Sequence, residues 1–271
     1  MNKNFTTKTL IDNGKALPVG IIAGDRFDKS LDVLPYKLKQ ERELAKIKRP
    51  GLPVGEYVQT ALSLLVARFG PHDFTKMEPG ERKLIIAQAW FPDILYAYLY
   101  VRYNSLGKDY PIEAQCPACR TLNKDIVGDL STVEVAVVSD PKALNWDVEL
   151  RDGLPIMGKV RNKIRLQPPV YGMLDFGSAV DGELPFLNVL RACLVSAEGV
   201  EGPPVILDND ADEMSKWDIE SVQRSIEEHT PGPRMVVESL CRRCKGEMRS
   251  VINWASESFF SLPSQPSMKS T

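Results

Sequence analysis

Cys116-Pro117-Ala118-Cys119 and Cys241-Arg242-Arg243-Cys244 are the two stretches on which the reading of this chain turns. In each, two thiols stand at the spacing that lets one tight turn grip a single tetrahedral metal. The flanking residues read as short strands, Tyr110 to Ala114 and Thr121 to Ile126 around the first pair, Met235 to Leu240 and Glu247 to Trp254 around the second. Two such hairpins facing each other form a zinc ribbon, with Cys116, Cys119, Cys241 and Cys244 as the four ligands. Four thiolates close the coordination sphere and leave no position for water or substrate, so the expected Zn2+ is structural.

Compact ribbons separate their two pairs by about 15–20 residues. Here 121 residues lie between Cys119 and Cys241, so the second pair reaches the first only if the intervening chain folds as an insertion. Two other readings stand beside the metal: ordinary free thiols, and a redox dithiol of the Cys-Pro-x-Cys type. Redox motifs of that kind sit at a strand-to-helix junction, whereas the residues after Cys119 read as strand. The fifth cysteine, Cys193, lies in the apolar stretch Phe186 to Val195 and reads as a buried small hydrophobe.

Composition sets the outer bounds. A chain of 271 residues is long enough for a sizeable core, as one elaborated domain or two. Lys+Arg 34 against Asp+Glu 36 gives a net charge of −2, so no global field drives it onto nucleic acid or an anionic membrane. The start, Met1 to Lys8, lacks the apolar core of a signal peptide, and the few cysteines fit a reducing cytoplasm. Leu84 to Val101 is apolar nearly throughout, but Gln88, Pro92 and Asp93 interrupt it. A membrane span needs about 20 clean apolar residues. This stretch instead predicts two buried helices broken at Phe91-Pro92-Asp93.

The expected fold class is α+β: an N-terminal helical bundle followed by a zinc-ribbon-like module with a large α/β insertion between its hairpins. Residues 1–50 read as an N-terminal arm, in which Leu17 to Ala23 suits an edge strand and Tyr36 to Lys48 a charged helix. Lys37 to Arg49 holds six basic and two acidic residues. Residues 51–109 read as the bundle, with helices over Val54 to Phe69, Pro79 to Trp90 and Asp93 to Leu106. Tyr96, Tyr98, Tyr100 and Tyr103 surround the last helix, which suits either core or a protein interface. The ribbon halves are 110–130 and 234–261, the insertion 131–233, and residues 262–271 a disordered tail.

Within the insertion, Ser131 to Val138 and Trp146 to Leu150 predict strands. Lys159, Arg161, Lys163 and Arg165 alternate with Val160, Asn162, Ile164 and Leu166. With no aromatics interleaved for base stacking, the four cations read as a solvated edge rather than a nucleic-acid stripe. Glu198 to Glu228 carries ten acidic and two basic residues, and could pair with the basic arm between subunits. Its Asp208-Asn209-Asp210-Ala211-Asp212 departs from a calcium loop, with Glu213 at the glycine position and Ile219 at the bidentate one. Asp212 reads as a helix cap. The two histidines, His72 and His229, have no nucleophile motif beside them, and no catalytic constellation is expected.

One order of motifs carries a likeness. A Gly55-Glu56-Tyr57-Val58 helix precedes a helix running from Asp93-Ile94-Leu95 to Tyr103-Asn104-Ser105-Leu106-Gly107. Cys116-Pro-Ala-Cys119 follows, and later Pro231-Gly-Pro-Arg234, Cys241-Arg-Arg-Cys244 and Glu257-Ser-Phe259-Phe260. This layout, over about residues 50–261, resembles the T-even-type baseplate hub and tail-assembly proteins of contractile-tailed phages and related injection systems. The resemblance implies a non-enzymatic virion structural protein or tail-assembly factor with the four cysteines as metal ligands. It also implies hub, spike and wedge proteins, or further copies of the chain, as partners, and a place in the host cytoplasm during assembly and in the virion baseplate. The alternatives are a zinc-ribbon nucleic-acid binder, favoured by Arg242, Arg243 and Lys245, and a dithiol oxidoreductase.

Overall fold

Residues 5–47, with little periodicity of their own, enter the core through pairings that are distant in sequence. The computed structural model describes residues 5–23, 26–47, 52–140, 144–156, 158–178, 184–200, 204–256 and 259–260. Strand β1 (Phe5–Thr9) leads through one turn, α1 (Leu10–Asn13), into strands β2 (Ala16–Ala23) and β3 (Arg26–Val33) and helix α2 (Leu38–Ile47). Leu10, Leu17 and Leu31 are buried in one core with Leu44 of α2, and Val19 in a smaller cluster with Val138 and Leu144. The expected arm is therefore corrected: these residues are part of the body. β2 does lie at a sheet edge, as its position in the order β2-β3-β4-β5 shows.

Helix α3 (Val54–Leu65) stops four residues earlier than its apolar stripe suggests. The stretch Val66–Phe69 becomes strand β4, whose Phe69 pairs with Leu31 and Arg68 with Asp32. Strand β5 (His72–Asp73) closes this sheet. Helix α4 (Pro79–Gln88) opens with Pro79 in its first turn and the Glu81 carboxylate accepting the Glu78 N–H at 3.0 Å. Helix α5 (Phe91–Leu106) follows and ends where Gly107 takes φ 82°. The break falls at Ala89–Trp90, just before the expected Phe91-Pro92-Asp93, which instead form the first turn of α5. Tyr96 and Tyr98 are fully buried and Tyr100 nearly so, which settles these three as core. Helices α3, α4 and α5 thus lie in the expected stretch, with β4 and β5 between the first two, but form no free-standing bundle, because α5 packs against β2 and the later β12.

Strands β6 (Asp109–Gln115) and β7 (Leu122–Asp129) make the first cysteine hairpin, and β8 (Glu134–Val138) pairs antiparallel with β1. The chain then leaves the body. Strands β9 (Trp146–Ile156), β10 (Lys159–Leu166) and β11 (Leu194–Ala197) form a sheet covered by helices α6 (Phe186–Cys193), α7 (Asp208–Asp212) and α8 (Lys216–His229). Trp146, Leu154, Ile164, Leu166, Leu190 and Val222 belong to a second core, separate from the first. Strand β12 (Gly232–Pro233) returns to pair with β8, and β13 (Val236–Leu240) and β14 (Glu247–Val251) make the second cysteine hairpin. The inserted unit is consequently smaller than 131–233, since β8 and β12 both belong to the body. Among the described residues, eight α-helices and five antiparallel sheets make up this mixed structure.

The basic strand is not an edge. β10 is central in the order β11-β10-β9. A register shift between Arg161 and Lys163 also breaks the simple alternation: Ile164 and Leu166 are buried while Val160 is 58% exposed. Lys163 and Arg165 both reach the Asp147 carboxylate, at 3.4 and 2.8 Å, so part of the cationic row is neutralised across the strand pair. Asp212 lies inside α7, and the cap of α8 is Ser215, whose Oγ accepts the Asp218 N–H at 3.2 Å. Asp218 is fully buried and accepts the N–H groups of Arg151, Asp152 and Gly153 at 2.8 to 3.0 Å. It anchors α8 to the bulged part of β9. The expected disordered tail lies outside the described residues. Among the described residues no helix is long and apolar enough to cross a membrane.

Candidate metal centre

The two hairpins are built alike. In the first, the Cys116 N–H donates to the Thr121 carbonyl at 3.0 Å and the Arg120 N–H returns to the Cys116 carbonyl at 2.9 Å. In the second, the Cys241 N–H donates to Gly246 and the Lys245 N–H to Cys241, both at 2.9 Å. Arg120 and Lys245 occupy matching places and share the left-handed conformation, with φ of 57° and 60°. That rare backbone turns each chain sharply after its second cysteine, so both thiols of a pair point inward. At Gly246 a Cβ would stand 3.3 Å from the Cys244 sulfur, which leaves little room for a side chain behind the thiol.

β13 lies against β7 and β14 against β6, and this packing brings the two turns together. At Gly128 a Cβ would come within 2.6 Å of the Val237 side chain, so close contact of the hairpins depends on a residue without one. The four sulfurs lie within 4.8 Å of one another. Cys116 and Cys244 are 3.6 Å apart, and Cys119 and Cys241 3.7 Å. A tetrahedron with metal–sulfur bonds of about 2.3 Å has edges of about 3.8 Å, so these separations suit one ion at the centre. Cys116 and Cys241 are buried, Cys119 half-buried and Cys244 exposed. All four sequence-predicted ligands are thus in one place, while Cys193 is buried in the second core. Burial pushes the Cys193 thiol up to about 12, in keeping with its reading as an inert apolar side chain.

The electrostatics also fit a cation. The N–H groups of Cys244 and Arg243, with the Asn123 amide, draw the Cys241 thiol down to about 6. Hydrogen bonds from Thr121 lower Cys119. The Gly246 N–H pulls on Cys244 in the same sense, but its contacts with Cys119 and Cys116 outweigh this and push it up to about 11. Four sulfurs this close cannot all ionise without a positive charge among them. A divalent ion supplies that charge and lets every thiol deprotonate.

Asn123 is the residue that spacing alone does not reveal. Its side chain is buried, with 3% exposure. Nδ2 donates to the Thr121 carbonyl at 2.9 Å and lies 3.5 Å from the Cys241 sulfur, while Oδ1 accepts the Arg242 N–H at 3.0 Å. One amide therefore ties the first turn to the second and orients a ligand sulfur. The available signal was an asparagine inside a segment reading as strand, where that residue is disfavoured.

His229 stacks on Trp146 at 5.2 Å and its Nδ1 meets the Ser225 carbonyl, and it is not among the residues of the cluster. No protein-family model matches the chain, and neither the curated proteins nor the solved structures yield a match. What the geometry defines is a class of site: a four-cysteine cluster, made by two like hairpins, that can hold a metal ion.

Proposed function

We propose that the chain is a structural or assembly component of a contractile phage-type tail baseplate, held in shape by one Zn2+ on Cys116, Cys119, Cys241 and Cys244. The observation that carries this reading is the closed set of four sulfurs joining chain segments more than a hundred residues apart. Soft thiolates in a tetrahedral set select zinc over harder ions, and four of them leave no coordination position for chemistry. A part that transmits load needs its distant segments fixed to each other. A metal cross-link does this by closing a long loop and making local opening costly.

The order of motifs from Gly55 to Phe260 supplies the assembly context, with hub, spike and wedge proteins as partners. Infection or assembly with a Cys244→Ser chain tests the reading. Electron micrographs should then show tails without complete baseplates, and the variant chain should lack metal. Complete, functional tails built with that metal-free chain would refute it. A nucleic-acid role has one structural feature in its favour, the exposed cations Arg120, Arg242, Arg243 and Lys245 around the cluster. About two of those charges offset the net −2 of a zinc tetrathiolate.

A further inference from the structure

The tip of the ribbon carries more than charge compensation. Residues 115–124 and 239–246, which form both turns, hold five cations, Arg120, Lys124, Arg242, Arg243 and Lys245, of which Lys124 pairs with Glu113 of its own hairpin at 3.7 Å. Two leucines stand exposed beside them, Leu122 at 51% and Leu240 at 59%. They flank the contact between Asn123 and Cys241, so the metal would hold both at one end of the ribbon. Exposed apolar residues with a basic surround describe a protein-docking surface better than a nucleic-acid track, and no aromatic ring is present there for base stacking.

The inserted unit carries the opposite pattern. Around α7 and the start of α8, Val205, Leu207 and Trp217 are each about 60% exposed. Asp208, Asp212, Glu213 and Glu220 are exposed with them. Cations from neighbouring positions compensate part of this face: Arg191 pairs with Asp208 at 2.9 Å, Lys216 with Glu220 at 3.8 Å, and Arg151 lies 5.4 Å over the Trp217 ring, whereas Asp212 and Glu213 make no ion pair among the described residues. Helix α2 is a weaker match for this acidic face, because Glu41 and Glu43 interrupt its basic residues.

We infer that copies of this chain associate head to tail, the ribbon tip of one seated on the α7–α8 face of the next. The two surfaces differ, so the contact is heterologous and builds a ring or an open row. This deepens the proposed structural role and rests on the metal-held ribbon, but not on the identity of the assembly around it.

Sedimentation of the full, metal-loaded chain tests the inference, with metal content and circular dichroism measured on the same samples. Wild-type protein should associate with rising concentration at 50 mM salt and less at 500 mM. Arg242→Glu/Arg243→Glu should weaken association by about tenfold or more, as like charges then face each other, and so should Asp212→Lys/Glu213→Lys. An equimolar mixture of the two variants should regain it, because each then offers the other complementary faces. A wild-type chain that stays monomeric at low salt overturns the inference, as does association that neither reversal changes or that mixing fails to restore. Salt-sensitive DNA binding by a monomer, lost only in the arginine variant, would assign the tip to nucleic acid instead. In each of these cases retained metal would leave the structural centre standing, whereas a metal-free wild type would undermine that centre itself.

Discussion

Replacing Asn123 by alanine isolates the part of the site that joins the two turns without touching a ligand. The change strips the Thr121 carbonyl and the Arg242 N–H of a buried partner and removes the amide from the Cys241 sulfur. A fully buried polar group left unpaired costs about 1–3 kcal/mol, and these two are part-buried, so about 2–4 kcal/mol is at stake in the closed form. Loss of a group that orients a metal ligand weakens metal binding by about 10–100-fold, which is about 1.4–2.7 kcal/mol and overlaps that range. Most of the structural cost should therefore surface as lost metal affinity. Competition against a chromophoric chelator measures it, and urea unfolding of the metal-saturated protein measures the stability side. Asn123→Asp makes the sharper control: it keeps the acceptor for Arg242 but sets a carboxylate against the thiolates, so it should bind metal more weakly than the alanine variant. Wild-type affinity in both variants would refute the role assigned to this side chain.

Three further outcomes follow from buried polar groups elsewhere. Arg102 is fully buried and donates to the carbonyls of Phe259, Gly107 and Asp109, so Arg102→Ala should destabilise the fold by about 3 kcal/mol or more and free the Phe259 ring from Tyr98; urea unfolding and near-ultraviolet circular dichroism report both. Asp218→Ala should lower the stability of the inserted unit by about 2–4 kcal/mol while metal content stays unchanged, and hydrogen exchange should place the loosening in α8 and β9. Asp93 sits at the start of α5, buried, with the Val19 and Gly20 N–H groups on its carboxylate, and burial raises it from 3.8 to about 7. The folded state then holds a proton that the unfolded chain gives up between about pH 4 and 7, so stability should fall as pH rises through that window and level off above it, by about 4 kcal/mol at most. Denaturation series from pH 4.5 to 8 should show that slope in the wild type and a flatter one in Asp93→Asn.

The metal ligands were legible because coordination chemistry imposes a local spacing that survives any fold around it. Two like pairs of cysteines flanked by strand patterns mark the hairpins in the sequence itself. The helices of 51–109 were legible for the same reason, since Pro79, Pro92 and Gly107 punctuate them locally. Residues 5–47 were not, because β1 is held by β8 and β3 by β4, and partners so distant leave no periodic trace in the strands themselves. Val66 to Phe69 shows the same limit, with a helical stripe overruled by pairing to β3. The basic strand misled because its second partner, β11, comes from residues 194–197, and a pairing so distant leaves no mark on the strand's own pattern. Asn123 and Asp218 are polar residues whose worth lies entirely in backbone groups brought to them by tertiary structure.

The proposed structural role requires that the four sulfurs share one ion. Elemental analysis of the purified chain, joined to X-ray absorption at the metal edge, measures this directly. It should find one zinc per chain with four sulfur neighbours at about 2.3 Å, lost in Cys116→Ser and retained in Cys193→Ser. A wild-type chain without metal, or a metal bound by fewer than four sulfurs, would contradict it.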